Sequence, residues 1–279
     1  MDNTGPSRTA LGAAMHRAAH QKIEGGATFR DPYALRIIGN EARNRLDEWA
    51  AVEQRRRMRL FIAARHRFAD EKLGISIERG TRQVVIVGAG LDTTALRGAS
   101  ETEDIRYFEV DHPATQAWKR QQLADEGLEP PDALTFAPVD FERQSLGEGL
   151  ATAGFNATRP AIFIWLGVVP YLTDGATFAT LKFIASVPGA EVVFDYANPP
   201  DQLGAKLQQA QAERAAHVAA IGEPWLSYFD SAELKKRLHG LGVSDVEDLG
   251  PFEIQRYIFG IPEPTYSGAG GHILWARWP

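Results

Sequence analysis

The stretch Val84–Arg97, VVIVGAGLDTTALR, decides how the rest of the chain is read. Its apolar run stops at Gly88-Ala89-Gly90. Such a run, closed by glycine, is the pattern of a strand buried on both faces within a parallel sheet. Gly88 and Gly90 would let the backbone turn sharply and come close to a ligand. A Gly-x-Gly pair after a strand is a weak signal alone. The dinucleotide fingerprint G-x-G-x-x-G fails here, because its last position is Thr93.

Outward from that stretch, the sequence alternates. Strands are expected at 83–87, 106–110, 134–139, 161–166 and 191–196, with helices at 93–98, 113–126, 142–153 and 174–186. Alternation of this kind implies βαβ units with right-handed crossovers. A polar helix over about 201–221 follows Asn198-Pro199-Pro200, then a helix at 230–241 with Asp230 as its cap. Segments 243–249 and 272–278 read as a terminal antiparallel strand pair. Residues 1–75 lack strand signals and read as helices at 8–21, 31–39 and 42–73, with Asp31-Pro32 as a helix start. The order is that of the Rossmann-like α/β sheet of class I methyltransferases, seven strands and mostly parallel. The expected organisation is an N-terminal helical cap, 1–75, and a main domain, 76–279, with a lid insertion at about 201–229.

Composition narrows the chemistry. The chain has 279 residues and no cysteine, which removes disulfides, cysteine-zinc sites and thiol catalysis. The net charge of −6 argues against a nucleic-acid partner, whose phosphates need a basic surface. The N-terminal residues show no apolar core of a secretory signal. The longest apolar run, Pro160–Leu172, is shorter than the roughly 20 residues of a spanning helix. A soluble, cytoplasmic protein is therefore expected.

Two acids stand at the ends of the second and third strands. Asp111 lies 21 residues beyond Gly90, where a carboxylate can accept both ribose hydroxyls of an adenosine. Asp140 and Phe141 could take the adenine amine and face its ring. Nicotinamide enzymes have no general need for that second acid. The glycines and the two acids together favour S-adenosylmethionine over NAD.

A third feature is an arginine on an apolar face. Arg occupies 55, 56, 57, 59, 65 and 67. At 100° per residue, Met58, Phe61, Ile62 and Phe68 form one stripe, with Arg65 near its middle and Arg56, Arg59 and Arg67 on the opposite, solvated side. A buried arginine needs an anionic partner. Arg65 could pair with an internal acid, or clamp the cofactor's carboxylate in a fork.

With these stretches the chain resembles the leucine carboxyl methyltransferase-like family of S-adenosylmethionine-dependent methyltransferases, in particular its bacterial small-molecule branch. The resemblance is carried by SRTALGAAMHRAAH (7–20), DPYA (31–34), ARHRFAD (64–70), VVIVGAGLDTTALR (84–97), FEVDHPATQAWKR (108–120), PVDF (138–141) and WLGVVPYL (165–172), and by the C-terminal YFDSAELKKRLHGLGVSDVEDLG. It implies that Arg65 binds the cofactor carboxylate, Gly88 lines the methionine part, Asp111 holds the ribose and Asp140-Phe141 frames the adenine. Protein-methylating relatives carry Glu before the glycine of the fourth-strand motif. Here Leu166 occupies that cofactor-site position, which weakens the case for a protein acceptor.

Other motifs count for less. Asn198-Pro199-Pro200 has the outline of an amino-methyltransferase loop, but Asp201 replaces the aromatic residue and the loop follows the wrong strand. His16 and His20 share a helix face at metal-ligand spacing, without an acidic third ligand. Methyl transfer to a carboxylate needs no general base, whereas a phenol or alcohol needs one. His112, Tyr171 and Tyr196 are the candidates for such a base, and none is convincing. The expected activity is O-methylation of a small-molecule acid, with a small hydroxylated acceptor as the alternative. An NAD-dependent oxidoreductase is opposed by Thr93 and Asp140, and the departure at Leu166 leaves room for a non-catalytic binding protein.

Overall fold

The computed structural model describes residues 7–98, 104–141, 143–262 and 269–279, which fall into two compact units meeting in sequence at Phe155 and Asn156. The first unit contains helices α1 (Arg8–Ile23), α2 (Ala34–Ile37), α3 (Gly39–Asn44), α4 (Leu46–Ala50) and α5 (Gln54–Glu78). It continues with β1 (Gln83–Val87), α6 (Thr94–Gly98), β2 (Arg106–Asp111), α7 (Pro113–Asp125), β3 (Leu134–Pro138) and α8 (Leu146–Thr152). The N-terminal helices, expected as a separate cap, thus fall in the same compact unit as β1–β3. The second unit contains β4 (Ile162–Trp165), α9 (Asp174–Ala185), β5 (Glu191–Ala197), α10 (Ala205–Ala220), α11 (Ser231–Gly240), β6 (Asp245–Leu249) and β7 (Gly271–Arg277).

The sheet has seven strands in the order β3-β2-β1-β4-β5-β7-β6. β2 pairs in parallel with both β1 and β3, and β4 with β5. β7 runs antiparallel between β5 and β6. The expected fold class holds, and each strand lies within two residues of its expected bounds. The wholly buried β1 and the β4 run explain this agreement, because a strand covered on both faces must be apolar throughout. Helix starts follow local chemistry. Ser145 and Glu148 form a capping box, so α8 begins at Leu146; residue 142, where that helix was expected to start, lies outside the described residues. Asp230 caps α11 as expected, accepting the amides of Ala232 and Glu233 at 2.9 Å.

The N-terminal helices depart from expectation. No single helix spans 42–73. Three short helices precede α5, which begins at Gln54. The Trp49 carbonyl accepts from the Arg55 side chain, whose guanidinium lies 4.3 Å above the Trp49 ring. That carbonyl would otherwise accept the amide four residues on, so the bond marks the break. Asp31 accepts the Tyr33 amide at 3.0 Å, which delays the start of α2 to Ala34.

Arg59 also departs. It is 3% exposed, not solvated. Its guanidinium forks onto Glu24 at 2.7–3.1 Å, just past the end of α1. Glu24 in turn accepts from His20 Nδ1 at 3.1 Å, while His20 Nε2 accepts the amides of Thr28 and Phe29. His20 is a core histidine with both nitrogens committed. The helical wheel of α5 alone could not show that α1 covers this side. Truncating one partner of a buried pair strands the other charge. Arg59→Ala should therefore cost about 3 kcal/mol in chemical denaturation, whereas exposed Arg56→Ala should change stability by less than about 0.5 kcal/mol.

Candidate functional site

The glycine loop sits at the C-terminal end of β1, where ligands bind in open α/β sheets. Gly88 and Gly90 adopt φ of 65° and 48°, a region costly for other residues. A side chain at Gly90 would also start 3.0 Å from the Ala10 methyl of α1. The loop is thus free of side chains on the strand end and closely approached by the first helix.

Asp111 ends β2 beside this loop. One carboxylate oxygen accepts the Gly90 amide at 2.6 Å and the other the His112 amide at 2.7 Å. Burial pushes its carboxyl up, and the two amides work against that push. The Thr115 hydroxyl also donates to this carboxylate, so of its four lone-pair sites one stays open for a further donor. The Val139 amide donates to the Asp111 carbonyl at 2.9 Å, so β3 ends next to β2 and delivers Asp140 and Phe141 to the same end of the sheet. Phe141 is 51% exposed, an unusual state for a phenylalanine and suited to a flat apolar partner. Arg65 is 7% exposed on α5, on a face that also buries Ile62 and Phe68, as its position on the stripe required.

Beside the loop lies a charge network that leaves little local pattern in the chain. Arg17 of α1 pairs with Asp31 at 3.3 Å and donates to the Leu91 carbonyl. Thr93 donates to the same Asp31 oxygen at 2.8 Å. The residue that breaks the dinucleotide fingerprint therefore ties the loop to the DPYA segment. Lys119 of α7 donates to Glu109 at 2.6 Å and to the Asp92 carbonyl, and all three residues are buried. Burial opposes the charge on Asp92, but His66, Arg17, Lys119 and Arg97 overcome it and hold its carboxyl well below the usual range. Burial, with Arg17 nearby, pushes His66 well down, and the Asp92 charge works against that push.

In the second unit, Leu166 and Gly167 follow β4, with Gly167 at φ 73°. The Gly167 amide donates to Asp195 of β5 at 2.5 Å, and Asp195 is 5% exposed. Sequence reading passed over this buried carboxylate; its signal is an acid at the C-terminal end of an otherwise apolar strand. Tyr171 closes the 3₁₀ turn Val169–Tyr171 after β4.

Two of the three expected bases are engaged elsewhere. His112 caps α7, its Nδ1 accepting the Ala114 amide at 3.2 Å. The ring proton then sits on Nε2, which leaves no lone pair for a base. Tyr196 is buried, donates to Asp248 at 3.0 Å and lies 2.9 Å from Ser231 Oγ. Burial and the Asp248 charge push its hydroxyl far up, so it keeps its proton. Asp248 is also held by Lys235 at 3.0 Å and by His272 Nδ1 at 2.9 Å. Burial opposes its charge, and His272 and Lys235 overcome it, bringing the carboxyl below the usual range. Asn198 accepts the Gly270 amide and donates to the Phe229 carbonyl, so its oxygen faces His272 Nε2 at 2.9 Å. Ser231, His272 and Asp248 thus have the residue types of a nucleophilic triad but form a structural knot. The Asn-Pro-Pro segment belongs to that knot.

The class defined by this fold and loop is a class I methyltransferase. The leucine carboxyl methyltransferase family model matches residues 10–185. "Putative S-adenosyl-L-methionine-dependent methyltransferase YktD" of Bacillus subtilis is 35% identical over 199 residues, covering 70% of this chain; the chain spans 65% of that relative's length. A protein of the same description from Mycobacterium avium is 31% identical over 242 residues, covering 80% of this chain and 76% of its own. The chain belongs to the leucine carboxyl methyltransferase family, and its cofactor is S-adenosylmethionine. Two solved structures share the fold. A "possible exported protein" of Bordetella parapertussis has TM-score 0.52 at 13% identity, covering 98% of this chain and 97% of its own. An O-methyltransferase family protein of Burkholderia thailandensis has TM-score 0.51 at 12% identity, covering 96% and 71%.

The residues present fit that cofactor: a cradle of two glycines, a strand-end carboxylate with a lone pair to spare, an exposed ring and a buried arginine. Losing a buried charge-assisted contact typically costs about 2–5 kcal/mol. Asp111→Ala and Arg65→Ala should each weaken S-adenosylhomocysteine binding in titration calorimetry by at least about tenfold, with Arg56→Ala unchanged. Tyr196→Phe should leave kcat unaltered and lower stability by about 1 kcal/mol.

Proposed function

We propose that the protein is a carboxyl O-methyltransferase acting on a small, largely apolar acid. One observation carries the reading. Of the three candidate bases, His112, Tyr171 and Tyr196, two, His112 and Tyr196, are committed to structural hydrogen bonds. A carboxylate is ionised at neutral pH and needs no base, whereas a phenol or alcohol does. The family membership agrees with carboxyl chemistry, and Leu166 in place of an acid agrees with a small acceptor.

When bound, S-adenosylmethionine supplies an electrophilic methyl group on a sulfonium. The chain's own residues bind, orient and exclude water. Arg65 forks onto the cofactor carboxylate, Asp111 accepts the ribose hydroxyls, and Asp140 and Phe141 hold and face the adenine. Gly88 and Gly90 allow close approach of the backbone. The acceptor side is assigned to the segments after β4 and α10, with Tyr171, Trp225, Tyr228 and Phe229 as an apolar wall that excludes water and aligns the attacking oxygen. The stretch 201–229 acts as the lid. No described helix is long and apolar enough to cross a membrane.

The product should be base-labile. With labelled methyl donor and candidate acids, mild alkali should release volatile methanol from a methyl ester. Label that resists alkali would instead identify an ether, and a base would then be required. Asp195 and Tyr171 are the groups to substitute in that case.

A further inference from the structure

Residues 222–230 cross the strand ends of the second unit as an irregular strap. The amides of Leu226 and Ser227 donate to the Pro170 carbonyl, and the Ser227 hydroxyl donates to the Val169 carbonyl at 3.0 Å. The Phe229 amide donates to the Ala197 carbonyl at 3.0 Å. The strap is therefore pinned to the turn after β4 and to the last residue of β5, at the edge of the sheet where open α/β folds take their ligands. It carries Trp225 and Tyr228, whose rings meet edge to face at 6.2 Å.

The indole nitrogen of Trp225 is shielded from solvent and meets no acceptor among the described residues. An unsatisfied buried donor costs about 1–3 kcal/mol, and such groups call for an explanation in function. Trp165 of β4 has the same unmet nitrogen, but it is 0% exposed within the sheet and out of a ligand's reach. Trp225 is only half-buried and lies on the strap itself, next to Leu226 at 54% exposure.

We propose that the indole N–H of Trp225 is the orienting donor for the acceptor's carboxylate, gripping the oxygen that does not attack. The inference rests on the carboxyl reading above and names the residue that selects for it. An indole can only donate and cannot take up a proton. It suits an acceptor that arrives already ionised, and it offers nothing to a phenol or an amine that must give a proton away. It holds one carboxylate oxygen and leaves the second free for in-line attack. The aromatic pair beside it favours an acid with an apolar or aromatic body.

The test uses the full chain with ¹⁵N-labelled tryptophan, saturated with S-adenosylhomocysteine. The Trp225 indole resonance is assigned as the one lost in Trp225→Phe. Cinnamate, phenylacetate and decanoate are the probes. Expected are a downfield shift of that resonance with at least one acid and about tenfold weaker binding of that acid to Trp225→Phe. S-adenosylhomocysteine affinity should be unchanged, which also certifies that the variant is folded. Acids that bind both proteins equally, or that leave the resonance unmoved, overturn the role of Trp225 while the carboxyl reading stands. If 4-ethylphenol binds and no acid does, the carboxyl reading falls and takes this inference with it. Acids that bind neither protein also count against it.

Discussion

The buried Asp31 carboxylate holds the first unit together around its ligand loop. It receives Arg17 from α1 and Thr93 from the glycine loop, and its second oxygen receives the Tyr33 amide. Arg17 reaches on to the Leu91 carbonyl. One acid thus joins the first helix, the entry to the second and the loop after β1. Its charge is affordable only because Arg17, itself 4% exposed, neutralises it. The junction adds direction to the apolar packing of Ala14, Met15, Ala18 and Ala19 with Leu91 and Leu96, which seats α1 beside the loop.

The same logic extends below the loop. Lys119 donates to one oxygen of Glu109 and to the Asp92 carbonyl, and Arg97 holds Asp70 while lying 4.7 Å above the Phe29 ring. Paired charges at this depth contribute little net stability compared with an apolar core. Their effect is positional. Hydrogen bonds with defined directions fix β1, β2, α6 and α7 against one another more narrowly than apolar packing can. A loop that must present backbone and one carboxylate to a small ligand gains from that definition.

In the second unit, polar order serves a different end. Asn198, Ser231, His272, Asp248 and Tyr196 lock the end of β5, the start of α11 and the β6–β7 pair. These side chains include types often found in catalysis, yet each is saturated by its neighbours. Trp225 is the contrast, because its donor is left over on a strap that is otherwise well bonded. The difference between a residue type and a residue with capacity to spare separates structure from chemistry here.

The sequence by itself determined the strands. β1 and β4 had to be apolar almost throughout because they are covered on both faces, and glycine, proline and capping residues marked where strands and helices stopped. It also placed Gly88, Gly90, Asp111, Asp140 and Phe141 at strand ends, since periodicity and spacing along the chain locate such positions. Arg65 was legible because an arginine within an apolar stripe contradicts its surroundings. The tertiary structure alone decided what covers each face. Arg59 is on the polar side of its own helix, and only the approach of Glu24 from the end of α1 makes that side an interior. His112 and Tyr196 could be read as bases until their partners were seen, and the burial of Asp195 and the unmet donor of Trp225 showed only in the fold. A chain can be read for where it turns and which face is apolar, because those are local and periodic properties. Which donor is paired and which is left over depends on residues far apart in sequence, and no local pattern encodes it.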